Sequence, residues 1–374
     1  MRLPASISSL PATTCLTILG ILVVNSARAA SQLELMESEV TALYQKSREA
    51  IVKVHAEGRH IRRGLTVIPW HRIGTGFFID ETGGLLTAAT VVENSDTCWI
   101  EWRERKVIAK LLGLDRQTQV ALLQVDPADC VAEGQKLPFL AQGNSDELQV
   151  GSMVVAIGFP YDLPSSPTVG FVGGFDIKCG SRMFVTSHFR AGCRLSPGQG
   201  GGPLLNTRGE VVGLAVAAHG TEQCYALPIN AARKVVADIL QHGRVQYGWV
   251  GLEVGEQRQR WPEAGLEESK VCIRQVYSNS PAATAGFRCQ DVLLKICSND
   301  IRRTADVLNT MFQHRCGERI SFTVLRSGET QQVTLVIGQR PAPETAIVQS
   351  FPPAPQPAKP TAGLNVVPVS GPQP

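Results

Sequence analysis

The stretch Ser196-Pro-Gly-Gln-Gly-Gly-Gly-Pro-Leu-Leu-Asn206 decides how the rest of the chain is read. Gly198, Gly200, Gly201 and Gly202 crowd four glycines into five positions, so the backbone there is free to take a tight turn closed to residues with side chains. The turn leads into short apolar runs, PLL and then VVGLAVA, which read as strands. Upstream, TGFFI, CWIEW, VALLQV and SMVVAIGF repeat the pattern between glycine-rich turns. Regularly spaced short strands of this kind predict an all-β barrel or sandwich over residues 50–241.

The flanks read differently. Leu35, Met36, Val40, Leu43 and Tyr44 recur at helical spacing and predict an amphipathic helix within residues 30–49. A second helix is expected over Ala231–Gln241, with Asn230 as its N-cap. A smaller mixed unit covers residues 243–340. Residues 341–374 hold ten of the 23 prolines and predict a disordered or polyproline tail. Residues 1–29 read as an export signal: Arg2, the apolar run CLTILGILVV from Cys15 to Val24, then Ala27-Arg28-Ala29 as a cleavage site. That places the mature chain in the periplasm or outside the cell. The alternative is a membrane anchor formed by an uncleaved N-terminal segment.

The formal net charge is +3, and Arg2 and Arg28 supply two of those charges, so the mature protein is near neutral. That excludes charge-driven binding to nucleic acid. Nine cysteines follow Cys15, and none shows zinc-ligand spacing with another cysteine or a histidine, so neither a metal nor a cofactor is expected. In an oxidising compartment they predict disulfides within each domain, with at least one thiol left over.

Taken in order, GTGFFIDETGGLLTAATVV at Gly74–Val92, GLDRQTQVALLQV at Gly113–Val125, LPFLAQGNSDELQVGSMVVAIGFP at Leu137–Pro160, SPGQGGGPLLNTRGEVVGLAVA at Ser196–Ala217, YALPIN and HGRVQYGWVGLEV at His242–Val254 resemble the HtrA (DegP-like) family. The resemblance implies a mostly β protein: a chymotrypsin-like double β-barrel followed by a PDZ domain. It also implies a serine endopeptidase whose histidine, aspartate and serine lie in the first, second and fourth of those segments. Here the three positions hold Thr90, Gln119 and Gly200. A triad needs nucleophile, base and orienting carboxylate together. The chain therefore reads as a pseudoprotease with no catalytic residue at those positions. The alternative is an HtrA-type serine endopeptidase of altered chemistry in envelope protein quality control. Candidates for a relocated site are Cys193, Ser196, His55, His60, His71, His188, His219 and Asp115.

Without its nucleophile, the glycine turn has two readings. In one, the N–H groups of Gly198 and Gly200 still converge as an oxyanion-type pocket. In the other, the turn is a relaxed loop. Arg194 falls where such folds read a substrate side chain, or is a surface arginine. In the second domain, Gly248-Trp249-Val250-Gly251-Leu252 resembles the family's carboxylate-binding loop, and SPAATAGFRCQDVLLKICSNDI at Ser280–Ile301 resembles the centre of a PDZ domain. Gln290 stands where that pattern usually has glycine. Trp249, Val250, Gly251 and Leu252 are accordingly expected to hold the C-terminal carboxylate of a peptide or unfolded protein. The expected activity is that of an adaptor, a chaperone-like holder or a regulator. Its other partners would be further copies of itself, in the trimers usual for the family, or an active HtrA relative.

Overall fold

The computed structural model describes residues 31–340 apart from 63–65, 220–221 and 262–265. The expected signal and the proline-rich tail lie outside the described residues. Two compact units emerge, one running to Gln246 together with Leu308–Gln313, the other formed by Tyr247–Val307 and the residues from His314 onward.

The first unit opens with helix α1 (Gln32–Ser47), started by a capping box in which the Ser31 hydroxyl accepts from Glu34 N–H and the Glu34 carboxylate accepts from Ser31 N–H. Strands β1 (Ile51–Arg62), β2 (Thr66–Phe78), β3 (Gly84–Ala88), β4 (Thr97–Trp102), β5 (Arg105–Ile108), β6 (Lys110–Asp115) and β7 (Val120–Gln124) follow, with the short helix α2 (Ala89–Val92) between β3 and β4. They form a seven-stranded sheet in the order β5-β4-β1-β2-β3-β7-β6. Its core holds Val52, Val54, Phe78, Leu85, Ile100, Leu123 and Trp102, all buried. The alternation in β4, where Cys98, Ile100 and Trp102 point in, is the period-two pattern of a half-buried strand.

After helix α3 (Pro127–Cys130), strands β8 (Met153–Gly158), β9 (Ser166–Cys179), β10 (Arg182–Ala191), β11 (Pro203–Leu205), β12 (Val211–His219) and β13 (Gln223–Pro228) close into a barrel in the order β10-β13-β12-β11-β8-β9. Val154, Val172, Phe189, Leu204 and Val212 fill it, with Cys193 and Cys224 among them. Helix α4 (Ile229–His242) ends the unit. Asn230 is not its cap. Pro228 occupies the cap position without a side-chain bond, and the chain is already helical at Ile229. Asn230 N–H instead donates to the Ser145 hydroxyl, so the orphan donor of the first turn is satisfied from outside the helix.

The second unit contains β14 (Leu252–Trp261), β15 (Leu266–Val276), helix α5 (Pro281–Thr284), β16 (Val292–Ile296), β17 (Asn299–Asp300), the start of helix α6 (Thr304–Gln313), whose residues from Leu308 group with the first unit, β18 (Arg319–Arg326) and β19 (Glu329–Val336). Its sheet runs β14-β15-β16-β18-β19, with β17 on β16, so β14 is an edge strand. Phe287 and Phe322 meet edge to face in its core, ring centroids 5.1 Å apart. The buried Asp291 carboxylate receives both arms of the Arg326 guanidinium, at 2.7 and 2.6 Å.

The nine described cysteines are all thiols, where disulfides were expected. Cys193 and Cys224 are buried side by side, and the Cys224 thiol is pushed up by its hydrogen bond with Cys193 and by burial.

Candidate functional site

Three segments distant in sequence meet at the glycine turn. Thr75 N–H, on β2, donates to the Gly200 carbonyl at 2.9 Å, and the Thr75 hydroxyl donates to the Gly198 carbonyl at 2.7 Å. Thr87, at the end of β3, donates its hydroxyl to the Thr75 carbonyl at 2.7 Å. From the other side, Ala89 N–H donates to the Gln119 carbonyl at 2.9 Å, tying the start of α2 to the loop before β7. The motif segments 74–92, 113–125 and 196–206 therefore form one locus.

Within it, the glycines are not interchangeable. Gly198 has φ +94, and a Cβ there would lie 2.3 Å from the Phe159 carbonyl oxygen. Gly201 has φ +86, and a Cβ would lie 2.3 Å from the Thr75 carbonyl. Both positions require glycine. Gly200 differs: a Cβ there would meet nothing within 4 Å. The turn is ordered from within. Gln199 N–H donates to Ser196 O at 3.1 Å, Ser196 N–H donates to the Gln199 side-chain oxygen at 2.7 Å, and Gly202 N–H donates to Gln199 O at 3.1 Å. Gly201 N–H is taken by Ala215 O at 2.8 Å. Among the described residues, the N–H groups of Gly198 and Gly200 have no such acceptor.

Thr90 is exposed on α2, and its carbonyl, with that of Glu93, accepts from Arg72 at 3.1 Å. Gln119 is buried at φ +63, its side-chain N–H donating to Arg116 O at 2.7 Å. Its side-chain oxygen is buried with no partner, the orphaned group of the locus. No hydrogen bond joins the side chains of Thr90 and Gln119 among the described residues.

The other candidates are placed elsewhere. Asp115 is buried and accepts from the main-chain N–H and the hydroxyl of Thr118. His55 stacks on Trp99 and shares a 3.0 Å hydrogen bond with His71. Burial first, then the neighbouring His71, holds the His55 imidazole below its usual range. His188 is buried against Phe184, with Nδ1 3.0 Å from Thr186 O. Cys193 is in the barrel core and Arg194 is exposed. The side chains of His60 and His219 lie outside the described ones.

In the second unit, the Trp249-to-Leu252 loop precedes the edge strand. Trp249 exchanges two main-chain hydrogen bonds with Gly338, at 3.0 and 2.9 Å, so its backbone is already committed. The Val250 carbonyl accepts from Ala282 N–H and the Gly251 carbonyl from Tyr277 N–H, both at 2.9 Å. The carbonyls are thus turned into the domain, while the N–H groups of Val250 and Gly251 donate to no described group. Gly251 has φ +78, and a Cβ would lie 2.1 Å from the Ser280 Cβ. Leu252 begins β14 opposite Val276.

This geometry defines a trypsin-like peptidase fold joined to a PDZ domain. The family model for a trypsin-like peptidase domain matches residues 74–214, and that for a PDZ domain matches residues 249–337. The chain belongs to the HtrA/DegP family by these two domains. It is 31% identical over 283 residues to a protein of Pseudomonas putida named "Probable periplasmic serine endoprotease DegP-like", covering 74% of this chain and 58% of that one. A protein of the same name from Hahella chejuensis is 30% identical, over 78% of this chain and 62% of its own. The chain thus spans 58–62% of the length of these relatives. The solved structure of the HtrA-type protease AlgW with a tripeptide superposes with a TM-score of 0.65 at 25% identity, covering 82% of this chain and 99% of that one. These relatives are described as periplasmic, and among the described residues no helix is long and apolar enough to cross a membrane.

Proposed function

We propose that this protein is a pseudoprotease of the HtrA/DegP family that binds peptides or unfolded envelope proteins without cleaving them. The observation that carries the reading is Gly200. At the tip of an ordered protease-type turn, the position that would carry the nucleophile has no side chain, although one would fit. Thr90 and Gln119 stand where base and orienter would be, and neither a threonine hydroxyl nor a carboxamide takes a proton at neutral pH.

Binding falls first to the PDZ loop. Val250, Gly251 and Leu252 offer main-chain N–H groups to a C-terminal carboxylate, Trp249 braces the loop, and the peptide adds as a strand to β14. The free N–H groups of Gly198 and Gly200 form a second pair of donors for a carbonyl or carboxylate in the vacant cleft. The protein would act as an adaptor, a chaperone-like holder or a regulator in the periplasm, after removal of residues 1–29. It would work as a homo-oligomer or beside an active HtrA relative. The competing reading, a serine endopeptidase of altered chemistry, is favoured by the names of the relatives.

The test is incubation of the purified protein with casein over a long time course, with a phosphonate active-site label in parallel. Intact casein and no label support the proposal. Cleavage that co-purifies with the protein and is lost on Ser196→Ala or Cys193→Ala overturns it.

A further inference from the structure

The second unit contains a constellation that the peptide-binding role does not use. Ile296 pairs with Asn299, leaving Cys297 and Ser298 as the two-residue turn between β16 and β17. Cys297 sits there at φ +53 with an exposed side chain, while its N–H donates to Ser321 O at 2.8 Å and fixes the turn against β18. Its sulfur lies 4.0 Å from His314 Nε2, and His314 Nδ1 lies 2.8 Å from a Glu318 carboxylate oxygen. The glutamate is anchored in turn: its N–H donates to Arg315 O at 3.2 Å, and its carbonyl accepts from Ile337 N–H at 2.9 Å.

The order is thiol, imidazole, carboxylate. A carboxylate on Nδ1 fixes the proton of a neutral imidazole there and turns the Nε2 lone pair toward the sulfur. A second cysteine provides the contrast. Cys316 is also exposed and lies two residues beyond His314, yet no contact between it and an imidazole is found among the described residues.

We propose that Cys297, with His314 as its base and Glu318 as a positioning residue, is a thiol-modification site that reacts with low-molecular-weight disulfides. The Cys297 thiol gives its proton to His314 Nε2. The thiolate attacks one sulfur of the disulfide, forming a mixed disulfide on Cys297 as the original S–S bond breaks. The departing thiolate takes the proton back from His314. One disulfide is consumed and one formed, so no outside oxidant is needed beyond the disulfide itself. The product is a reversible cap on the β16–β17 turn.

The direction of the effect follows from two opposing trends. A base beside a thiol raises the fraction of thiolate, and the lower nucleophilicity of that thiolate returns only part of the gain. Cys297 should then react faster than Cys316, which has no imidazole beside it among the described residues.

The experiment uses the full, reduced protein at pH 7, with glutathione disulfide and, separately, 5,5′-dithiobis(2-nitrobenzoate) as probes. Labelled sites are quantified by peptide mapping. The expected result is a Cys297-to-Cys316 rate ratio above one that falls to about one in both His314→Gln and Glu318→Gln. The ratio is measured within each variant, so a general loosening of the fold, checked by circular dichroism, does not mimic it. A ratio near one in the parent protein overturns the proposal. So does a ratio unchanged by both substitutions, which would leave exposure as the cause. Recovery of a Cys297–Cys316 bridge as the main product overturns it as well.

Discussion

The Thr75 hydroxyl donates to the Gly198 carbonyl at 2.7 Å and accepts from Phe159 N–H at 3.1 Å. One fully buried side chain thus holds β2, the glycine turn and the segment after β8 in register. The contact fixes the peptide plane that follows Gly198 in the glycine turn. Thr75→Val keeps the shape but strands a carbonyl and an N–H, a loss of about 2–6 kcal/mol at 1–3 kcal/mol per buried unsatisfied group. Thr75→Ser should retain both bonds and lose about 1 kcal/mol with the methyl group. Urea unfolding of the two variants separates the outcomes.

Gly200→Ser should fold as the parent does, within about 0.5 kcal/mol, because the site has room for the side chain. It should not cleave casein, since a serine without a base stays protonated. Adding Thr90→His and Gln119→Asp supplies the base and the orienter that the proposed reading lacks, and aspartate tolerates the left-handed φ of +63 at position 119. Cleavage by the triple variant but not by the single one is the expected pattern, read on a casein gel.

His188 makes the barrel acid-sensitive. Burial lowers its imidazole from 6.5 to about 4 in the folded protein. The unfolded chain therefore binds a proton that the folded chain refuses between those values. Stability is whole above pH 6.5 and is lost as pH falls toward 4, by about 2–3 kcal/mol at pH 4.5. His188→Phe, which keeps an aromatic ring against Phe184, should remove this component. The measurement is the difference between parent and variant in urea unfolding at pH 7.5 and 4.5.

Gln290 adopts φ +72 with its N–H donating to Ile273 O at 2.8 Å. The left-handed backbone costs a non-glycine residue about 1–2 kcal/mol, and glycine's extra freedom in the unfolded chain returns part of that. Gln290→Gly should stabilise the second unit by about 0.5–1 kcal/mol, seen as a higher melting temperature.

Peptide capture is best tested by changing the peptide. Any side chain at Gly251 would meet Ser280 at a backbone φ of +78, so substitution there breaks the loop along with its binding. Converting a bound peptide's C-terminal carboxylate to an amide should weaken binding at least about tenfold, the loss of one charge-assisted hydrogen bond. Equal affinity for free and amidated peptides, by calorimetry with the full chain, would remove the carboxylate from the proposal.

The sequence made the sheets legible because their apolar runs alternate or fill as strands must, and because glycine marks the turns. Gly198, Gly201 and Gly251 lie in stretches that the sequence marks as turns or loops, and it is the fold that puts each at a positive φ. Thr75 could not: one threonine inside GTGFF gives no sign that its hydroxyl reaches across 123 residues to Gly198. Cys297 and His314 were equally silent, since 17 residues and a helix separate them in the chain. Asn230 is a capping residue type beside a proline, yet its N–H partner, Ser145, lies 85 residues away. Local chemistry carried the elements, and contacts made across the fold carried the rest.

An open sheet edge does not choose its visitors. The backbone groups of β14 that would pair with a ligand peptide are equally available to any extended segment, including the same strand of another copy. The sequence of that strand, LEVGEQRQRW, reads as a defence: Glu253 and Glu256 are exposed, and arginines follow at 258 and 260. Two like strands brought together in parallel would set glutamate against glutamate and arginine against arginine, whereas an antiparallel pair would match opposite charges. A short peptide, held by its terminal carboxylate as proposed, escapes that repulsion when its own side chains are neutral. The charged edge would then select for apolar chain ends, and it would keep two copies from pairing in parallel through the surface proposed to bind peptides.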